Sequence, residues 1–121
     1  MHLSGSVTAY ITDLIFATKL RSTADSLGIE VNWVRNAEAL AERLADTACH
    51  TAIIDLDAEG DPLEAIRATR RLENPPRTIA YVSHVRKDLF AAAEDAGADV
   101  VMPRSAFSAE LPDLLGAVDR D

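Results

Sequence analysis

The chain has 121 residues, 48% apolar and 26% charged, which is enough for one domain with a core and too apolar for a disordered segment. Its 12 basic and 20 acidic residues give a net charge of −8, which argues against a nucleic-acid partner because such partners require a basic surface. One cysteine, no apolar run of membrane-spanning length and no secretory signal predict a single cytoplasmic domain over residues 1–121, without membrane contact.

Strands and helices alternate through the first half of the chain. Residues 7–11 are short, apolar and rich in β-formers, which predicts a buried strand. The next helix is predicted from apolar residues spaced as one helical face: Phe16, Leu20, Ala24 and Leu27. Gly28 is the residue type expected just after a helix. A strand over residues 31–34 and a helix over 37–44 follow.

The second half of the chain continues this alternation. The clearest strand covers residues 51–54 and ends in Asp55. Asp61 followed by Pro62 predicts the start of a helix, which should stop before Pro75. The remaining predicted elements are a strand over 78–82, a helix over 88–96, a strand over 98–102, and a helix capped by Ser108 with Pro112 in its first turn.

Five strands alternating with five helices predict the α/β class, with a five-stranded parallel sheet and helices on both faces. Right-handed crossovers favour the flavodoxin-like strand order 2-1-3-4-5. In such sheets the ligand site lies beyond the carboxyl ends of the strands. The polar residues predicted at that edge are Thr12, Asp13, Asp55, Asp57, Ser83, His84 and Arg104.

An aspartate that ends the third strand, a hydroxyl that ends the fourth and a cation after the fifth resemble the receiver domain of bacterial two-component response regulators. The resemblance extends over the whole chain, and its best local match is the segment AGADVVMPR at residues 96–104. It implies a role in signal transduction and phosphorelay, with Asp55 at the phosphoacceptor position. Ser83 and Arg104 would then be the residues that contact the phosphoryl group.

The segment after the first strand departs from this family. Receivers place two adjacent acids there, which bind Mg²⁺ together with the phosphoacceptor, whereas this chain has Ile11 and Thr12, with Asp13 one position later. Isoleucine offers no oxygen ligand to Mg²⁺, and phosphoryl transfer depends on such a cation. We therefore expect an atypical receiver with no metal site, no cofactor and no catalytic residue, which acts without phosphorylation.

Two other functions remain open at this point. Asp55 could accept phosphate from a histidine kinase or a small phosphodonor, as in a functional response regulator. Alternatively, the fold could carry a small enzyme or a nucleotide-binding module. No glycine-rich phosphate loop follows the first strand, and the adjacent Ser83 and His84 have no third residue to orient them, so an enzyme is not expected.

Leu14, Ile15 and Phe16 are three consecutive apolar residues at the start of the first helix. One helix cannot bury all three, so Leu14 or Ile15 should lie at the mouth of the site beside Ile11. This predicts a contact with a protein partner or with a second copy in a homodimer, the alternative being local packing over the strand ends. Arg104 is expected to pair with a carboxylate, Asp55 being the nearest candidate.

Overall fold

The computed structural model describes residues 6–46, 49–82 and 87–116, in which five strands alternate with five helices. In chain order the elements are β1 (Ser6–Tyr10), α1 (Leu14–Leu27), β2 (Glu30–Val34), α2 (Ala37–Asp46), β3 (Thr51–Asp55), α3 (Pro62–Arg70), β4 (Arg77–Val82), α4 (Lys87–Ala96), β5 (Val100–Pro103) and α5 (Arg104–Gly116). Strand limits differ from the predicted ones by one or two residues.

The strands form one parallel sheet in the order β2-β1-β3-β4-β5, which confirms the predicted topology. β1 and β3 are buried along their whole length in the middle of the sheet. The register of β3 against β4 places Asp55 beside Tyr81, so these two side chains emerge next to each other at the carboxyl edge. Parallel pairing therefore brings the ends of β1, β3 and β4 together.

The core consists of two layers, one on each face of the sheet. On one face α1 and α5 pack against the strands around three aromatic rings, those of Phe16, Tyr81 and Phe107. The rings of Tyr81 and Phe107 are stacked, with centroids 4.6 Å apart, and Phe16 is tilted against both. On the other face α2, α3 and α4 cover a mainly aliphatic layer that includes Leu40, Ile54 and Ile66 together with the buried Tyr10.

Helix α1 ends as predicted at Gly28, which has a φ of 73°. The amides of Gly28 and Ile29 donate to the carbonyls of Asp25 and Ala24, the pattern of a Schellman motif. This turn buries Ile29 in the core, whereas Leu27, the last residue of the predicted apolar face, is 41% exposed. Because Gly28 adopts a left-handed conformation, the residue that follows it, Ile29, lies in the core.

Helix α5 begins at Arg104, and the prediction of Ser108 as its cap was therefore wrong. Phe107 is buried against Phe16 and Tyr81, and this packing holds residues 104–107 in the helix. Pro112 consequently lies inside α5 and not in its first turn. Prolines in this position remove one helical hydrogen bond, and Pro112 faces solvent.

The start of α3 follows its sequence signal, and α2 also begins at a polar cap. Asp61 accepts a hydrogen bond from the amide of Glu64, and Pro62 is the first residue of α3. Asn36 caps α2 by accepting from the amide of Ala39. None of the helices in the described ranges is both long enough and apolar enough to cross a membrane.

Candidate functional site

Asp55 is the last residue of β3 and is buried, with 4% of its surface exposed. Its Oδ1 accepts a hydrogen bond from the backbone amide of Asp57 at 2.9 Å. Burial raises the pKa of Asp55 above its ordinary value, and the nearby carboxylate of Asp57 acts in the same direction. Asp55 is thus easier to protonate than an exposed aspartate.

Tyr81 lies beside Asp55 on β4 and is fully buried. Its hydroxyl has no hydrogen-bond partner among the described residues. Burial raises the pKa of this phenol strongly, and the negative charge of Asp55 adds to the effect. We did not identify Tyr81 from the sequence, although its place near the end of a strand adjacent to β3 was the signal that could have indicated it.

Asp13 and Arg104 form an ion pair at this edge of the sheet. Asp13 is also the N-cap of α1, since its Oδ1 accepts hydrogen bonds from the amides of Ile15 and Phe16. The hydrogen bond from Arg104 holds the pKa of Asp13 below its ordinary value. The guanidinium carbon of Arg104 lies 4.8 Å from the centroid of the Phe16 ring.

The partner of Arg104 differs from the one expected from strand order. We predicted Asp55 as the nearest candidate, and this was wrong because Arg104 begins α5, which packs against α1 and so brings the side chain to Asp13. Asp55 and Arg104 still interact through their charges, as the effect of Arg104 on the pKa of Asp55 indicates. Asp13, Asp55 and Arg104 therefore belong to one cluster.

The two positions after β1 have other uses than binding a cation. Ile11 is 5% exposed and is part of the core layer beneath α1 and α5. Thr12 accepts a hydrogen bond from the backbone amide of Glu59 through its Oγ1 at 3.2 Å. The hydroxyl of Tyr10 donates to the carbonyl of Glu59. Both backbone groups of Glu59 are therefore bonded, and they hold the loop of residues 56–61 against the end of β1.

Gly60 completes this loop. Its φ is 99°, and a Cβ atom built on it would lie 2.5 Å from the hydroxyl oxygen of Tyr10. A side chain at residue 60 would therefore both strain the backbone and collide with Tyr10. We did not predict the roles of Tyr10, Thr12 and Gly60, because they depend on contacts between residues almost fifty positions apart.

These residues do not fit the magnesium ion that receiver domains bind. The first position after β1 holds a buried isoleucine, and Asp13 is already bonded to Arg104 and to two backbone amides. Within the described ranges, no three His, Cys, Asp or Glu side chains are grouped so that they could hold a metal ion. Mg²⁺ needs several oxygen ligands in near-octahedral geometry, which this set does not supply.

Leu14 and Ile15 point into solvent at the start of α1, with 74% and 83% of their surfaces exposed. Ile11 is not part of this exposed pair, contrary to our expectation, because it faces the core. Ser83, predicted to contact a phosphoryl group, lies outside the residues that the structure describes, as does His84. The described part of the site thus consists of a polar cluster around Asp55 with two exposed apolar side chains beside it.

Comparison with known proteins identifies the fold. No protein-family model and no curated protein matches the chain. Solved structures match over nearly its whole length, among them the receiver domain of a sensor histidine kinase from Pseudomonas aeruginosa with a magnesium ion in its active-site cleft. That domain is 19% identical, with a TM-score of 0.82 over 95% of this chain and 97% of that one.

Two further structures show the same similarity. A receiver domain from Bermanella marisrubri is 19% identical, with a TM-score of 0.81 over 98% of this chain and 100% of that one. A response regulator from Burkholderia pseudomallei with a phosphorylated aspartic acid is 16% identical, with a TM-score of 0.79 over 92% of this chain and 66% of that one. The chain therefore has the fold of response-regulator receiver domains.

Proposed function

We propose that this chain is an atypical receiver-like domain of signal transduction, which acts by binding another protein and does not depend on phosphorylation of Asp55. The observation that carries the proposal is the use of the three residues after β1. Ile11 is buried in the core, Thr12 holds the loop of residues 56–61, and Asp13 caps α1 and pairs with Arg104. None of the three is left to bind a cation beside Asp55.

Without a cation, phosphoryl transfer to Asp55 lacks the charge that would stabilise its transition state. Among the described residues, Arg104 is the candidate for neutralising the charge of a phosphoryl group. Its guanidinium, however, is bonded to Asp13 and lies over the Phe16 ring. Asp55 itself is buried and surrounded by the carboxylates of Asp13 and Asp57, which repel an incoming phosphate. The negative charges at the site therefore disfavour both the approach of an anionic phosphodonor and its reaction with Asp55.

A functional phosphoacceptor is the second candidate, and one observation favours it. Asp55 ends β3 at the carboxyl edge of the sheet, the place of the phosphoacceptor in the family that the sequence resembles. The similar Burkholderia pseudomallei protein carries a phosphorylated aspartic acid. In this alternative, Asp55 accepts phosphate from a histidine kinase or a small phosphodonor, and Ser83 and Arg104 contact it.

Intact-protein mass spectrometry after incubation with acetyl phosphate and Mg²⁺ separates the two candidates. We expect no added phosphate on this chain, with the Burkholderia pseudomallei regulator as the positive control. An adduct that forms on the wild type and is absent from Asp55→Asn would overturn the proposal. NMR spectra with Mg²⁺ and beryllofluoride give a second readout, since a functional acceptor site should show shifts around Asp55.

We propose that residues 1–121 form one domain, that it works in the cytoplasm, and that it has no enzyme activity of its own. One two-layered core over the described residues supports the single domain. Cys49, a free and partly buried thiol whose pKa is raised by burial, suits a reducing compartment. The net charge of −8 favours a protein partner over a nucleic acid.

A further inference from the structure

We infer that the outer edge of β2 pairs with the β2 edge of a second copy, so that a homodimer forms one continuous sheet with five strands from each chain. β2 pairs with β1 over its whole length and is the last strand on its side of the described sheet. An edge strand presents a row of unpaired backbone N–H and C=O groups, to which another strand can bond. This edge lies two strands away from β3 and Asp55, so the inference goes beyond the proposed function and does not depend on it.

The two edges of the sheet are built differently. β5 has four residues and ends in Pro103, which has no N–H to donate, and both features hinder pairing with a further strand. β2 has five residues, contains no proline and includes two valines and a tryptophan, which are β-forming residues. Its three middle residues, Val31, Asn32 and Trp33, are only partly buried, so this strand reaches the surface. Of the two edges, β2 is therefore the one that favours strand pairing.

The sequence of β2 suits antiparallel pairing with itself. A twofold axis perpendicular to the sheet makes the two β2 strands antiparallel and keeps each face of the sheet continuous. With this axis at Asn32, the middle residue of β2, all five positions are paired. Val31 and Trp33 lie on the face beneath α1 and α5, and in this register Trp33 of each copy is opposite Val31 of the other. Pairs of an aromatic and a β-branched side chain stabilise antiparallel strands, and the dimer contains two of them.

The Trp33 side chain is already held in place for such a contact. One part of it packs against the core, and the guanidinium carbon of Arg21 on α1 lies 5.1 Å from the centroid of its ring. Tryptophan and arginine are enriched among the residues that contribute most to protein interfaces. Because the ring is fixed before the second copy arrives, its use in an interface has a small ordering cost.

Charges at the two ends of β2 favour a second copy in the antiparallel direction. Glu30 begins the strand and Arg35 follows it; both are exposed, and neither has an ion pair among the described residues. Antiparallel pairing brings Glu30 of each copy near Arg35 of the other, whereas parallel pairing would bring like charges together. Arg21 and Asp25 on the neighbouring helix add one charge of each sign. The net charge of −8 on each chain repels a second copy at long range, and the contacts at the strand ends oppose this repulsion locally.

The oligomeric state and the location of the interface are measured together. Sedimentation and light scattering over a series of protein concentrations should show a reversible monomer–dimer equilibrium. NMR hydrogen exchange should show that outward-facing amides among residues 30–34 become protected as the concentration rises, whereas those of residues 100–103 do not change. Trp33 is the only tryptophan of the chain, so its fluorescence follows the same step. A chain that stays monomeric at NMR concentrations would overturn the inference, as would a dimer that protects residues 100–103 instead.

Charge reversal tests the direction of pairing. Glu30→Arg or Arg35→Glu alone should weaken the dimer about tenfold or more, because each reversal replaces two attractive contacts by two repulsive ones. The double variant should restore dimerisation. Glu94→Arg and Arg77→Glu are the matched controls, since they change the net charge by the same amounts at exposed positions on α4 and β4. Glu94→Arg should not weaken the dimer, and Arg77→Glu should weaken it much less than Arg35→Glu. A double variant as weak as the single ones, or controls that equal their matched variants, would overturn antiparallel pairing.

Trp33→Val tests the register. Valine keeps a β-forming side chain at this position, and circular dichroism checks that the fold is retained. We expect the dimer to weaken about threefold or more, because both aromatic pairs across the interface are lost. Leu27→Ser, which changes an exposed side chain at the end of α1, is the control and should leave the dimer unchanged. Dimerisation that is unaffected by Trp33→Val, or that Leu27→Ser weakens equally, would contradict pairing of the two β2 edges.

Discussion

Asp13 has two structural tasks that its place in the sequence does not reveal. It caps α1 through its Oδ1, and it forms an ion pair with Arg104 in which the side chains are 35% and 30% exposed. The cap depends on an oxygen acceptor, whereas the pair depends on a negative charge. Replacements that differ in only one of these properties can therefore separate the two contributions.

We expect Asp13→Ala to lower the free energy of unfolding by about 1–2 kcal/mol, the usual cost of losing an N-cap. Asp13→Asn keeps a capping oxygen and should cost only about 0–1 kcal/mol, the range of partly exposed ion pairs. Arg104→Ala should have a similarly small effect. Urea denaturation followed by the fluorescence of Trp33 measures these differences. Equal losses in Asp13→Asn and Asp13→Ala would show that the ion pair is the main contribution.

The carboxyl group of Asp55 should make stability depend on pH. Its pKa is raised in the folded protein by burial, so the folded state retains a proton at pH values where the unfolded chain has released it. The stability that Asp55 contributes is present below its unfolded pKa and is lost as the pH rises through its folded pKa. Asn at this position cannot ionise and retains the oxygen that accepts from the Asp57 amide.

We therefore expect Asp55→Asn to be more stable than the wild type at neutral pH, and this advantage to shrink as the pH is lowered through the folded pKa. Urea denaturation of both proteins over a series of pH values measures it, with Asp25→Asn as an exposed control. A stability difference that stays constant across the series would contradict the assignment of a raised pKa to Asp55.

At the scale of elements, the loop between β3 and α3 is fixed to the end of β1. Tyr10 and Thr12 both bond the backbone of Glu59, and Gly60 leaves no space for a side chain against Tyr10. The loop therefore joins the strand that would carry the acidic pair of a receiver to the strand that carries Asp55. In this chain the hydroxyl groups of Tyr10 and Thr12 make that connection.

Gly60→Ala tests how tightly the loop is held. We expect a loss of roughly 1–3 kcal/mol in the free energy of unfolding, from the positive φ and from the contact with Tyr10. Gly28→Ala is the matched control, because Gly28 also has a positive φ but a Cβ there would meet no atom within 4 Å. The excess cost of Gly60→Ala over Gly28→Ala should disappear in a Tyr10→Phe background, as measured by chemical denaturation. An excess that persists there would assign the cost to the backbone alone.

At the scale of the whole molecule, the two faces of the sheet have different compositions. The face beneath α1 and α5 contains the cluster of three aromatic rings and borders the candidate site, whereas the other face is filled mainly by aliphatic side chains around the buried Tyr10. Tyr81 links the aromatic cluster to the candidate site, because its ring packs against Phe107 and its hydroxyl lies near Asp55. A change in the charge of Asp55 would therefore act on Tyr81, whose ring packs against Phe16 of α1 and Phe107 of α5.

The sequence by itself determined the fold class, the strand order and most helix limits. Apolar periodicity, the Asp61–Pro62 start and the Gly28 end are local signals, and each depends on residues within a few positions. Right-handed crossovers then left few ways to order the strands, and the structure has the expected one. An outward position for Leu14 or Ile15 followed in the same way, since one helix cannot bury three consecutive side chains, and both of them are exposed.

Tertiary structure alone decided how the site residues are used. Whether Arg104 pairs with Asp13 or with Asp55 depends on how α5 packs against α1, and the start of α5 depends on the burial of Phe107 against Phe16 and Tyr81. The bonds from Tyr10 and Thr12 to Glu59 join residues 49 and 47 positions apart. Local patterns carry no information about such distances, because the contacts arise only when the sheet brings its strand ends together.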